Sequence, residues 1–299
     1  MPFDFCLAWN WEYDADFVAI LKKAFNGQKL TFLEVTPGTL ADTLDALRSG
    51  NVTFSSFLDR ASESDPDFLP LVRWAEEQGV FVINPHQRSL HAMNKASMHL
   101  EFITAGIHTP YTIILPPYSE QPHLAPFLDL SPLGEKFTIK PAHGGGGEGV
   151  VTEATSPDQV QAARQEFPAD FYLLQAHIVP AWKEGRPAWF RVLFCGGRVY
   201  PCWWDIGTHV YTPVTPAEEQ AFGLTPLHQI TEQIAAVCGL DMFSTEIAQT
   251  GEGLLVAVDY VNDQIDLRLK SNTYDGVPDE IVHDIAQRLA ELVLLRHPS

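Results

Sequence analysis

FTIKPAHGGGGEGVV, residues 137–151, is the stretch that decides how the rest of the chain reads. Four consecutive glycines, Gly144, Gly145, Gly146 and Gly147, fill no volume and lose much backbone entropy on folding, so packing does not account for them. Their bare N–H groups suit a loop that closes over an anion. A glycine run alone equally fits a flexible hairpin tip, and its flanks must decide. The run contains GxGxxG at Gly144, Gly146 and Gly149, but a β-like VVTEA follows where a dinucleotide fingerprint needs a helix. No Gly-Lys-Ser/Thr closes it, which excludes a Walker A loop. What remains is a strand, a lysine, a glycine lid and a returning strand. Pro141 ends the ladder, so Lys140 is expected exposed at the lid's mouth, as a solvated side chain or as a point charge for phosphate.

Downstream, FYLLQAHIVPAWKEG (171–185) is an apolar strand breaking into a polar turn. AWFRVLFCGGRVYPCWW (188–204) reads as a hairpin about Gly196–Gly197. Arg191 lies in the middle of its first arm, a place for a paired or snorkelling side chain as well as a catalytic one. In STEIAQTGEGLLVAVDYVN (244–262), a TGEG turn sets Gln249 opposite Leu254 and Glu246 opposite Ala257. Glu246 and Asp259 are then diagonal neighbours on one face, within reach of a shared cation. Two such carboxylates repel unless something positive lies between them or they face water on an edge hairpin.

Upstream, FCLAWNW (5–11), KLTFLEV (29–35), VTFSSFLD (52–59) and VFVIN (80–84) alternate with helical patterns over 14–26, 38–49 and 66–78. That alternation predicts a parallel sheet covered by helices, without a phosphate-binding fingerprint. A helix over 87–105, a strand YTIILPP and an aperiodic Pro-rich connection (116–134) follow. The remainder reads as antiparallel strands with helices over 216–238 and 277–296.

The formal charge of −19, from 38 acids against 19 Lys and Arg, comes with no basic cluster. Nucleic acid and anionic membrane are therefore excluded as expected partners. No stretch approaches the ~20 apolar residues of a membrane span. The N-terminus carries acids within its apolar run, unlike a signal peptide, and a cytoplasmic location is expected. Cys6, Cys195, Cys202 and Cys238 show no CxxC spacing and read as buried thiols of a reducing compartment.

Taken in order, these residues resemble the ATP-grasp superfamily across about residues 84–271. The resemblance implies ATP and Mg²⁺ (or Mn²⁺) as cofactors. It places Lys95 of NKAS and Lys140 on the phosphates beneath the lid Gly144–Gly147. Gln175, His177 and Ile178 form the adenine hinge, Gln175 standing where Glu is usual, and Glu184 is the nearest ribose acid. Arg191 assists the phosphates or the acyl-phosphate. Glu246, Asp259 and Asn262 hold the metal. The Asp259–Asn262 spacing is one residue longer than usual, so a bulge is required, or Asp263 or Asp266 substitutes. The implied fold is a Rossmann-like lobe (1–88) followed by a two-subdomain ATP-grasp unit (89–178 with the lid, 179–299 with the metal site), of mixed α/β and α+β class. The implied activity is ligation of a carboxylate to an amine or thiol through an acyl-phosphate; phosphoryl transfer to a small molecule, or nucleotide binding without turnover, are the alternatives. Related ligases are often dimers. Arg268 suits a substrate carboxylate or a structural ion pair equally.

Overall fold

A computed structural model describes residues 1–296, so the last three positions of the expected 179–299 subdomain lie outside the described residues. Four parallel strands open the chain: β1 (Phe5–Trp9), β2 (Phe32–Val35), β3 (Ser56–Arg60) and β4 (Phe81–Ile83), in the order β2-β1-β3-β4. The crossovers are α1 (Ala15–Gly27), α2 (Leu40–Arg48) and α3 (Leu69–Glu77). β1 is buried along nearly all its length, as a parallel strand covered on both faces must be.

Where one helix was expected over 87–105 there are two, α4 (His86–Met93) and α5 (Lys95–Thr104). Asn94 breaks them apart: its backbone is extended and its side chain accepts from Ser97 N at 3.0 Å, the cap that opens α5. The second sheet is antiparallel, with β5 (Thr112–Leu115), β6 (Phe137–Pro141), β7 (Val151–Ala154) and β8 (Tyr172–Ala176) in the order β5-β8-β6-β7. Pro141 is the last residue of β6, paired with Tyr172, and the ladder ends there as expected. The short α6 (Pro157–Ala163) follows β7.

The third sheet holds β9 (Trp189–Cys195), β10 (Arg198–Asp205), β11 (Val210–Pro213), β12 (Met242–Gln249) and β13 (Leu255–Asn262), ordered β11-β10-β9-β12-β13. The β9–β10 turn is Gly196–Gly197, as expected. The helix expected over 216–238 is split into α7 (Pro216–Phe222) and α8 (Pro226–Cys238), because Gly223 takes a left-handed conformation and ends α7. The closing α9 (Asp279–Arg296) returns to the first lobe. Its Ile285, Ala286, Leu289 and Val293 share one core with Phe17 and Leu21 of α1 and Leu193 of β9. This core couples the parallel lobe to the sheet that carries Glu246 and Asp259. Among the described residues, no helix is long and apolar enough to cross a membrane.

Candidate active site

Strand pairing sets the site. β9, β12 and β13 are neighbours, with Arg191 opposite Glu246 and Glu246 opposite Asp259. The β12–β13 register differs from the expected one. Gln249 faces Leu255 rather than Leu254, and Ile247 faces Ala257. A regular ladder would then pair Glu246 with Val258, but a bulge inserts Val258 as an extra residue and brings Asp259 opposite Glu246. A second irregularity sets Asn262 against Ser244 and lets its amide donate to Asp259 Oδ2 at 3.2 Å. The bulge required by the long Asp259–Asn262 spacing is therefore present.

Lys140 enters from β6. Its Nζ donates to the carbonyl of the extra residue Val258 at 3.2 Å and lies 3.9 Å from Asp259 Oδ1. It also sits 5.3 Å from the centre of the Tyr260 ring. Lys140 is only 7% exposed, which corrects the expectation of a solvent-exposed strand-end lysine. β13 covers the face of β6 from which it projects. Burial depresses its ammonium pKa against the pull of Asp259. Burial also works to raise the Asp259 carboxyl, but Lys140, Lys95 and Arg191 together hold it below the usual carboxylate range.

Arg191 Nη1 donates to Glu246 Oε1 at 2.6 Å and its Nε to Ser244 Oγ at 3.2 Å. Trp189 Nε1 holds the other oxygen, Glu246 Oε2, at 3.1 Å. Sequence reasoning missed Trp189, although the two-residue period of a strand puts it on the face of Arg191.

Lys95 is the first residue of α5. Its backbone N donates to Ala142 O at 2.8 Å and its Nζ to Gly144 O at 2.5 Å. Beside it, His143 bridges Asp170 Oδ1 (2.8 Å) and the Asn94 amide (3.1 Å). The lid is thereby rooted on the cap of α5. Gly144, Gly146 and Gly147 have positive φ, a region open to glycine at little cost.

Lys95, Lys140, the glycines Gly144–Gly147, Gln175, Glu246, Asp259 and Asn262 all line one cleft of ≈270 Å³, together with Trp189. Gln175 is buried, and its amide donates to Tyr260 Oη at 3.0 Å and Thr112 Oγ1 at 3.3 Å. The other hinge candidates lie outside the cleft wall. His177 Nε2 pairs with the Thr152 carbonyl at 2.5 Å, and Ile178 packs against the main core. Glu184 is exposed at the tip of the turn joining Lys183 to Arg186. Asp263 and Asp266 also stand apart: Asp263 accepts from Ser89 Oγ at 2.6 Å, and Asp266 pairs with Arg268 at 2.7 Å. Arg268 pairs with Asp275 as well, at 3.0 Å, so it is in a structural ion-pair network.

Glu246, Asp259 and Asn262 offer the cleft two carboxylates and an amide oxygen, all hard donors. Among the described residues no three His, Cys, Asp or Glu side chains converge as a cage. That set fits Mg²⁺, which takes one or two protein carboxylates and fills its octahedron with phosphate oxygens and water.

The fold matches solved structures over almost the whole chain. A RimK-domain ATP-grasp protein from Sphaerobacter thermophilus superposes with a TM-score of 0.66 at 21% identity, covering 97% of this chain and 99% of that one. The chain has the ATP-grasp fold. The D-alanine–D-alanine ligase from Bacillus anthracis, complexed with ATP, superposes on this chain with a TM-score of 0.64 at 12% identity, over 99% and 98% of the two chains. The macrocyclase MdnC from Microcystis aeruginosa, bound with its precursor peptide MdnA, gives 0.64 at 11%, over 99% and 100%. No family model and no curated protein matches the sequence.

Proposed function

We propose that this ATP-grasp protein is an ATP-dependent ligase that joins a carboxylate to an amine or thiol through an acyl-phosphate. One observation carries the reading: Glu246 and Asp259 face each other beneath the glycine lid, with Lys140 and Lys95 lining the same cleft and Arg191 on Glu246. A triphosphate needs that balance, cations for its oxygens and paired carboxylates for its metal. The ATP-bound D-alanine–D-alanine ligase and the peptide-bound macrocyclase of the same fold support it.

In this reading Lys95 and Lys140 neutralise the phosphates, and Lys95 exchanges Gly144 O for a phosphate oxygen as the lid closes. Gly144–Gly147 cover the site and exclude water from a hydrolysable acyl-phosphate. Arg191, held on Glu246 and Ser244 at the edge of the cleft, supplies positive charge for the transferring phosphate and then the tetrahedral oxyanion. Gln175, the one hinge candidate that lines the cleft, contributes the adenine end. Glu246, Asp259 and Asn262 would hold Mg²⁺ or Mn²⁺. The ion supplies Lewis-acid stabilisation of the charge that develops on the phosphates. We further propose lobes of 1–88, 89–178 and 179–299, a homodimer and a cytoplasmic setting, the last supported by four buried free cysteines.

The test is to supply carboxylates with Mg-ATP and hydroxylamine as a trapping amine. Hydroxamate formed in step with ADP supports the ligase. ADP with a stable phosphorylated alcohol and no hydroxamate replaces it with a phosphotransferase.

A further inference from the structure

The parallel sheet reverses its winding between β1 and β3, because β2 lies to one side of β1 while β3 and β4 lie to the other. In open parallel sheets the crevice at the carboxyl ends of the strands flanking such a reversal is where ligands bind. Here that crevice is open. Asn10 and Trp11 leave the end of β1, and the residues after Arg60 leave the end of β3. They line a cavity of ≈560 Å³. A second cavity of ≈390 Å³ adjoins it, and Glu63 and Gln264 are walls of both.

The crevice borders the nucleotide cleft through the chain itself. Asn262 lines the cleft, Asp263 lines the smaller cavity and Gln264 lines both cavities. Successive Cα atoms are about 3.8 Å apart, so a ligand here lies beside the metal end of the nucleotide site.

Two independent features describe the ligand. The smaller cavity is walled by Asp59, Glu63 and Asp263 with no Lys or Arg, and by the apolar Leu69, Leu90 and Met93. It favours a protonated amine on a partly apolar body. In the larger cavity Arg60 is the one Lys or Arg. Its Nε and Nη2 are held by Asp14 at 2.7 Å each, and Nη2 also donates to Ile265 O at 3.0 Å. Its Nη1 is buried with no acceptor among the described residues, although Arg60 is only 3% exposed. A buried donor left without an acceptor is costly, and a ligand oxygen reaching it removes the cost. A free anion would meet the surrounding acids uncompensated, whereas a molecule that also carries an ammonium offsets that repulsion with its own positive charge.

We propose that this crevice takes the amine substrate of the ligation as an α-amino carbonyl compound. Its ammonium lies among Asp59, Glu63 and Asp263, and its carbonyl or carboxylate oxygen points to Arg60. The proposal rests on the ligase reading and narrows the acceptor to an amine. Amino acids and the N-termini of peptides share this chemistry.

The experiment titrates the full chain, saturated with Mg-AMPPNP, by calorimetry. The panel holds free amino acids, their primary amides, their N-acetyl forms and the side-chain-matched alkylamines. For at least one side chain, the free amino acid or the amide binds at least tenfold more tightly than its N-acetyl form and its alkylamine. Preference for the free acid marks an amino-acid substrate, and preference for the amide marks a peptide N-terminus. Glu63→Gln, a change on an exposed side chain, weakens that ligand at least tenfold and leaves Mg-AMPPNP affinity unaltered. If no panel member binds, or N-acetyl forms or alkylamines bind as well as the parent, the proposal is overturned. Failure of the ligase reading itself shows separately, as absent Mg-AMPPNP binding or absent hydroxamate.

Discussion

Glu246 and Asp259 are cross-strand partners only because Val258 is an extra residue in β13. Without that bulge the two carboxylates would point from opposite faces of the sheet. With it, Asp259 sits against Lys140, accepts from Asn262 and shares a cleft with Glu246. Asp259→Asn keeps the shape and removes one metal-binding charge. We expect kcat to fall by roughly 10²–10³-fold, the scale of losing one preorganised electrostatic contact, and nucleotide affinity to fall by much less. Raised Mn²⁺ or Mg²⁺ should restore part of the rate. Near-normal turnover at ordinary magnesium would remove Asp259 from the metal site.

Lys140 is buried, so its truncation to Ala would confuse a lost contact with a cavity. Lys140→Met holds the volume and deletes the charge. Losing a charge-assisted phosphate contact costs about 1.5–3 kcal/mol, roughly 10- to 150-fold in ATP affinity. Calorimetric titration with Mg-ATP measures it, and wild-type affinity in the variant would leave Lys140 as a structural partner of Val258 and Asp259.

The sequence showed some of this and hid the rest for identifiable reasons. Strand–helix alternation before residue 84 made the parallel lobe legible, and the Gly-Gly turn made the β9–β10 register legible, because both signals are local. The register of β12–β13 was not. Read by turn length, it comes out one residue short, and the bulge at Val258 restores the parity, so two departures cancel at Asp259. Bulges leave little trace in a single apolar strand. Strand parity gave the face from which Lys140 projects, but its burial comes from β13, more than a hundred residues later, and no local pattern announces that cover. The break at Asn94 was within reach: an Asn followed three residues later by Ser97, whose N–H it caps, interrupts an apparently continuous helix.

The native fold alone assembles the nucleotide cleft, so Mg-ATP should stabilise the protein by mass action. At one hundred times the dissociation constant the gain is about 2.7 kcal/mol, seen as a rise in the denaturation midpoint. No rise under conditions where a control ligase responds would count heavily against ATP as a ligand.

Two glycines near the lid should separate strain from cover. At Gly149, where φ is +68°, an added Cβ would lie 2.6 Å from a Phe167 ring carbon. At Gly145 it would meet nothing within 4 Å. Gly149→Ala should therefore lose at least about 1–2 kcal/mol of stability from backbone strain alone, whereas Gly145→Ala stays within about 0.5 kcal/mol of wild type. Urea denaturation of both variants decides this, and equal midpoints would contradict the lid geometry.

Alkaline conditions should weaken the fold through its thiols. Cys6, Cys195, Cys202 and Cys238 are all buried and free. Burial raises every one, with Cys202 and Cys238 pushed up to about 12, while an unfolded thiol titrates near 8.5. The sign follows from proton counts. Below about pH 7 both states hold the protons and the thiols contribute no pH dependence. As pH rises through the unfolded value, the unfolded chain sheds protons that the folded chain keeps, so stability falls, approaching about 1.4 kcal/mol per pH unit for each thiol. Urea titrations from pH 7 to 10 under reductant should show a declining midpoint that steepens above pH 8.5. Native protein at pH 8 should resist a thiol reagent that labels all four cysteines once denaturant is added. Rapid labelling of any one in the native state would show that its thiol is not held behind the core.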